Sequence, residues 1–144
     1  LIRRAVPADL EVVLELSKEF CVLDGHVFEV GRVKPALIPL LATDDLGVVH
    51  LVEEEGWALG YAVITWGYSL ESGGRDALID EIYIRDRGSG VGTSLLAAIL
   101  DDVKARRLPR LVLETEKANE AARRFYARHG FVSEDSVWMS LDLS

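Results

Sequence analysis

Cysteine occurs once in the 144 residues, at Cys21, so neither an internal disulfide nor a cysteine-based metal site can form. The three histidines, His26, His50 and His129, share no ligand spacing such as H-E-x-x-H. No apolar run approaches the roughly 20 residues that span a bilayer. Leu1-Ile2-Arg3-Arg4 is not followed by the apolar core of a signal peptide. Basic residues are outnumbered, with Lys+Arg 16 against Asp+Glu 24 and a net charge of −8. A chain of that sign is poorly suited to nucleic acid or to an anionic membrane surface, so neither is expected as a partner. The lack of an initiator Met predicts that a few residues precede Leu1, and the cysteine usage predicts a reducing compartment, the cytoplasm.

What is present is the composition of a folded domain, 49% hydrophobic and 28% charged, and the length predicts one domain over residues 1–144. The charge is uneven. Residues 1–84 hold 15 acids and 6 bases, whereas residues 85–144 hold 9 acids and 10 bases.

Periodicity predicts a short strand over Leu1 to Ala5, then a helix from Pro7 to about residue 22, with Leu10, Val13, Leu14, Leu16 and Phe20 on its apolar side. A second short helix is expected over Val33 to Leu41. Three strands follow, Gly47 to Glu53, Trp57 to Tyr68 and Ala77 to Ile84, rich in β-branched and aromatic residues. The pattern then becomes helix (Val91 to Arg106), strand (Pro109 to Glu114) and helix (Asn119 to His129). Phe131 to Glu134 and Ser136 to Asp142 read as closing strands. The fold class is a mixed α/β domain with a βαβ unit in its second half.

Arg87-Gly88-Ser89-Gly90-Val91-Gly92 lies between a predicted strand and a predicted helix. Glycines admit close backbone approach, and the N–H groups of the loop and the helix N-terminus make an anion site, with Arg85 and Arg87 adding positive charge. The dinucleotide fingerprint fails, because its last position falls on Thr93, and a Walker loop would need a Lys that is absent. The R-x-x-G-x-G reading holds, with Arg87, Gly90 and Gly92. A second pattern, N-x-x-A-x-x-x-Y-x-x-x-G-F, runs through Asn119, Ala122, Tyr126, Gly130 and Phe131, beginning 27 residues after Gly92.

These two motifs at this separation resemble the GNAT N-acetyltransferase superfamily, best over Ala77 to Phe131. The resemblance implies a mixed sheet of about seven strands with four helices, acetyl-CoA as donor, and transfer of its acetyl group to a primary amine by direct attack in a ternary complex. It implies that the backbone of Ile82, Tyr83 and Ile84 meets the pantetheine arm and thioester. Arg87, Gly88, Ser89, Gly90, Val91, Gly92 and Thr93 would then hold the pyrophosphate, and Asn119, Ala122 and Tyr126 would lie along the cofactor. Asn119 equally suits a helix N-cap. Arg123, Arg124 and Arg128 could reach the adenosine phosphates or form a solvated basic face.

A free amine has a pKa near ~10.4, so a base is needed at neutral pH. Glu81 is the candidate, with a structural partnership to Arg75 as the plainer alternative. A regular strand would turn Asp80 to the opposite face. Tyr126 is the candidate acid for the leaving thiolate, or else a core tyrosine against Phe125 or Phe131. Asp24, Trp66, Tyr68 and Glu81 are candidate acceptor contacts, with His26, Glu29 and Glu71 in the same segments. Trp66 and Tyr68 share one strand face and either wall a pocket together or pack in the core. The acidic half of the chain would draw in a small cationic amine. A non-catalytic acyl-CoA-binding module and a protein or peptide N-acetyltransferase are the alternatives. Homodimers are common in the superfamily, and the strands from Phe131 onward often take part in them.

Overall fold

A computed structural model describes residues 1–144. The chain divides into two compact units, Leu1–Leu113 and Glu114–Ser144.

The first unit is a five-stranded sheet in sequential order, β1 (Ile2–Arg4), β2 (Gly47–Glu54), β3 (Trp57–Ser69), β4 (Gly74–Ile84) and β5 (Leu111–Leu113). The first four strands are antiparallel neighbours, and β5 pairs parallel to β4. Alternation along β3 sends Tyr61 and Val63 to one face. Ala62 and Ile64 go to the other. Helices α1 (Leu10–Leu23) and α2 (Val30–Ala42) cover the first face, and their apolar sides close a core with Ala5, Val13, Leu16, Leu37, Leu41, Val49, Leu51 and Tyr61. Helix α3 (Val91–Ala105) buries Leu95, Leu96, Ile99 and Val103. It follows β4 and leads back to β5, completing the βαβ crossover.

The entry to α1 is held by charge. Asp9 accepts hydrogen bonds from the Val6 N–H at 2.7 Å and from both terminal nitrogens of Arg3. Helix α2 starts three residues earlier than the periodicity suggests and continues through Pro35 and Pro39. Each proline removes one backbone donor. Leu37 and Leu41 are nonetheless buried, so packing sustains the helix.

The second unit contains α4 (Glu120–Arg128), capped by Asn119, whose side-chain oxygen accepts from the Ala122 N–H at 3.1 Å. Gly130, at φ 95°, ends it, and the Phe131 N–H returns to the Tyr126 carbonyl at 3.1 Å. The two closing strands expected after Phe131 are not formed, leaving five strands rather than seven. Val137, Met139, Leu141 and Leu143 alternate as a strand would, but they have no ladder partner and are all more than 80% exposed. A period-2 pattern fixes which side chains share a face and does not supply the neighbour whose backbone completes the bonds. No helix is long and apolar enough to cross a membrane.

Candidate active site

Two irregularities in β4 define the site. The ladder with β3 pairs Val63 with Glu81 and Ile64 with Ile79, so Asp80 is an extra, bulged residue. The ladder with β5 stops at Ile79–Leu113, while β4 runs on to Ile84. Arg85 donates its N–H to Leu59 on β3 at 2.7 Å. By alternation Glu81 and Tyr83 also direct their backbone groups toward β3, and those of Ile82 and Ile84 face the edge that β5 leaves unpaired. Such an edge accepts an extended, amide-bearing chain as an added strand would be accepted.

The bulge changes what the strand presents. In a regular strand Asp80 and Glu81 would point to opposite faces. Here both line one cavity of about 180 Å³ between α1, α2, β3 and β4. The expectation that only one of the pair reaches the cleft is therefore corrected, because the extra residue resets the alternation.

Glu81 is held by two residues that the motifs did not reveal. Tyr61, fully buried, donates its phenol O–H to Glu81 Oε1 at 2.5 Å, and Ser17 Oγ lies 3.5 Å from the same oxygen. Both contacts fall on Oε1, and Glu81 lines the cavity. Burial pushes the Glu81 carboxyl above its ordinary value, the Tyr61 and Ser17 bonds oppose this, and the Asp80 charge adds to it. Asp80 is more open to solvent, yet the loss of water on its pocket side also raises its pKa. The Tyr61 phenol is pushed far up by burial and then by Glu81, so it remains a donor. Ser17 could have been noticed as a polar residue on the apolar stripe of α1. Tyr61 could have been noticed as an inward position of β3 with a polar tip.

The glycine loop follows. Gly88 and Gly90 have φ of 90° and 82°, a region that side chains with a Cβ rarely adopt. Gly90 is the N-cap of α3, and no side chain caps the helix, so the first N–H groups from Val91 onward are available. Ser89 is tied back through its hydroxyl to the Asp86 carbonyl at 3.1 Å. Arg85 does not join this loop. Its guanidinium bonds Glu19 and the Ala58 carbonyl and lies 3.6 Å from Glu15. Tyr83 turns its ring toward Phe20 and Tyr61 and donates to Glu19 at 3.2 Å. Arg87 is exposed.

Other candidates lie elsewhere. Trp66 is on the opposite face of β3 from Tyr61. Its indole N–H donates to the Asp44 carbonyl at 2.7 Å, and the Arg106 guanidinium sits 4.7 Å above its ring. Tyr68 is 78% exposed. The pair does not wall a common pocket with Glu81. Asp24 is exposed, with an oxygen 3.2 Å from His26 Nε2, and neither lines the cavity. Several acids are paired away from the cavity, Asp9 and Glu53 with Arg3, Glu19 with Arg85, and Asp44 and Asp102 with Arg106. In the second unit Tyr126 is buried, in ring contact with Phe125 and Phe131, and burial keeps its phenol protonated. Arg124 pairs with Glu120, and Arg128 lies 5.9 Å over Phe125.

An unpaired strand edge, an uncapped helix behind a positive-φ glycine loop and a carboxylate in a cavity beside the same strand make up the candidate site. Comparison with known proteins gives the family. A sequence profile of the acetyltransferase (GNAT) family matches residues 14–131. An integron cassette protein from the mobile metagenome of Cole Harbour Salt Marsh superposes with TM-score 0.88 at 28% identity, covering 99% of this chain and 90% of the other. An acetyltransferase candidate from Arthrobacter sp. FB24 gives TM-score 0.85 at 30% identity over 99% and 96% of the two chains. N-alpha-acetyltransferase 30 of Schizosaccharomyces pombe is 53% identical over 45 residues, which span 31% of this chain and 30% of that relative. The chain belongs to the GNAT acetyltransferase family and is an acyltransferase that uses acetyl-CoA.

Proposed function

We propose that residues 1–144 act as one N-acetyltransferase domain that acetylates a primary amine by direct attack, with Glu81 as the base. The observation that carries this is the Glu81 carboxylate, held through Oε1 by Tyr61 and Ser17 in the lining of the cavity, on the strand whose edge beyond Ile79 is unpaired. The family match crosses the boundary at Leu113, which supports reading the two units as one functional whole.

Acetyl-CoA supplies an acetyl group activated as a thioester. Its fit to this chain rests on the donor set: N–H groups from Gly88 to Thr93 for phosphate oxygens, Arg87 for their charge, and the outward backbone groups of Ile82 and Ile84 for the amide-bearing arm. The Ile84 N–H is the candidate donor to the carbonyl oxygen as charge builds there. Glu81 attracts the ammonium and takes its proton. Tyr126, held protonated by burial, is assigned the proton for the departing sulfur. Asn119 takes the cap role in α4 through its side-chain oxygen, which leaves its amide N–H₂ for the cofactor arm.

Thiol release from acetyl-CoA over a panel of amines tests the reading, alongside the thermal stabilisation that a ligand of the native state must give. Stabilisation by acetyl-CoA with no release on any amine would leave a binding module. A protein or peptide N-terminal amine is the second reading, favoured by the local match to the Schizosaccharomyces pombe enzyme. A peptide panel separates the two.

A further inference from the structure

We propose that the acceptor is a monoamine, one ammonium on a compact apolar body of ring or short-alkyl size, and not a polyamine, an aminosugar or an amino acid. This rests on Glu81 being the base and deepens that reading. The acids of the cavity sit at one end only. Asp80, Glu81, Tyr61 and Ser17 gather where β4 bulges, and the remaining wall is apolar apart from the exposed Arg32, made by Val13, Val33, Ala36, Leu37, Leu40 and Val63. Its volume is about 180 Å³, and an apolar cavity of roughly 150 Å³ already admits a benzene ring. The ammonium therefore has one place to go, against the paired carboxylates, with the body against α2.

A second ammonium has none. Asp80 and Glu81 are the only acids on the lining, and the remaining charged lining residue is Arg32, whose Nε is 3.8 Å from Glu29. Beyond the two carboxylates the lining offers a distal ammonium only apolar side chains or that guanidinium, and no counter-charge. The acid-rich composition of residues 1–84 does not alter this, because none of its acids except Asp80 and Glu81 lines the cavity. Attraction of an ammonium is local here, set by two adjacent residues.

The test is kcat/KM for thiol release with n-pentylamine and phenethylamine against 1,5-diaminopentane, an aminoglycoside, phenylalanine and a short peptide, all with wild-type protein and acetyl-CoA. The monoamines should exceed the diamine by about tenfold or more, the scale at which a mismatched pocket contact discriminates. Ala36, exposed at the cavity wall, allows a complementary variant. Ala36→Glu supplies the missing counter-charge and should raise turnover of the diamine while lowering that of pentylamine. Faster release with the diamine, the aminoglycoside, phenylalanine or the peptide overturns the monoamine assignment and leaves the acetyltransferase reading standing. No release with any acceptor overturns both. An Ala36→Glu protein with unchanged preference also counts against the proposal.

Discussion

The phenol of Tyr61 donates to Glu81 Oε1 at 2.5 Å across the ladder between β3 and β4, although Tyr61 is registered opposite Tyr83 and Glu81 opposite Val63. The bond is diagonal, and it reaches because both residues face the helical layer of α1 and α2. It holds the carboxylate through one oxygen in the lining of the cavity. If Glu81 is the base, Tyr61 is a positioning residue. Tyr61→Phe removes a bond that lowers the Glu81 pKa, so the acid limb of kcat should move to higher pH. A profile superimposable on that of the wild type would show that the phenol does not set the base.

Glu81 itself should trade stability for activity. Its folded-state pKa is raised above the ordinary value of 4.5, chiefly by burial. A raised carboxyl favours the protonated form in the fold, so the stability it contributes is full below 4.5 and is lost as pH rises through the raised value. Asp80, raised by burial, acts in the same direction, and its charge adds to the rise at Glu81. Glu81→Gln keeps an acceptor for Tyr61 and removes the charge. It should lower turnover by about 10²–10⁴. It should also raise Tm relative to wild type at pH 8, with the difference closing near pH 4. A Tm that falls equally at both pH values would mean that the carboxylate is structural.

The element order was legible in the sequence because α1 and α3 carry a period of 3.6, while β2 and β3 are short apolar runs rich in β-branched and aromatic residues and bounded by turns. Gly88 and Gly90 were legible too, since positive φ restricts residue type almost alone. The bulge at Asp80 was not. An extra residue in a strand is a property of two strands in register, and nothing in Ile79-Asp80-Glu81 marks it. Tyr61, Ser17 and the spatial separation of Trp66 from Glu81 escaped for the same reason, being relations across the sheet. The tail beyond Phe131 shows the converse, where an alternating pattern is present and no neighbouring strand completes it.

Arg85 and Arg87 were equal candidates for charge at the loop, and the structure separates them. Arg85 is engaged by Glu19 and the Ala58 carbonyl, which joins α1 to the end of β4. Arg85→Ala should therefore lower Tm and leave acetyl-CoA affinity nearly unchanged. Arg87→Ala should leave Tm nearly unchanged and weaken acetyl-CoA about five- to tenfold, less so at high salt, as for a solvent-exposed charge on a phosphate. Isothermal titration at two ionic strengths distinguishes them. An equal loss of affinity in both variants would return Arg85 to the cofactor site.

Gly90 combines a conformational requirement with a binding one. It caps α3 at φ 82° and ψ −1°, and a Cβ built there meets nothing within 4 Å. Space is therefore not the constraint, and Gly90→Ala carries only the backbone penalty of the left-handed region, about 1–2 kcal/mol. There are two ways to relieve it. The loop can keep its shape and the protein loses that stability, or the loop can relax toward negative φ and rotate the free N–H groups at the start of α3. The first outcome lowers Tm with acetyl-CoA affinity intact. The second spares part of the stability and weakens acetyl-CoA. Because the loop is exposed and no side chain caps the helix, little resists relaxation, and the second outcome is expected. Gly90→Asn is the control, since Asn tolerates the left-handed region better than Ala. It should recover most of the affinity that Ala loses, and an Asn variant as weak as Ala would show that the added side chain, and not the backbone, blocks the donor.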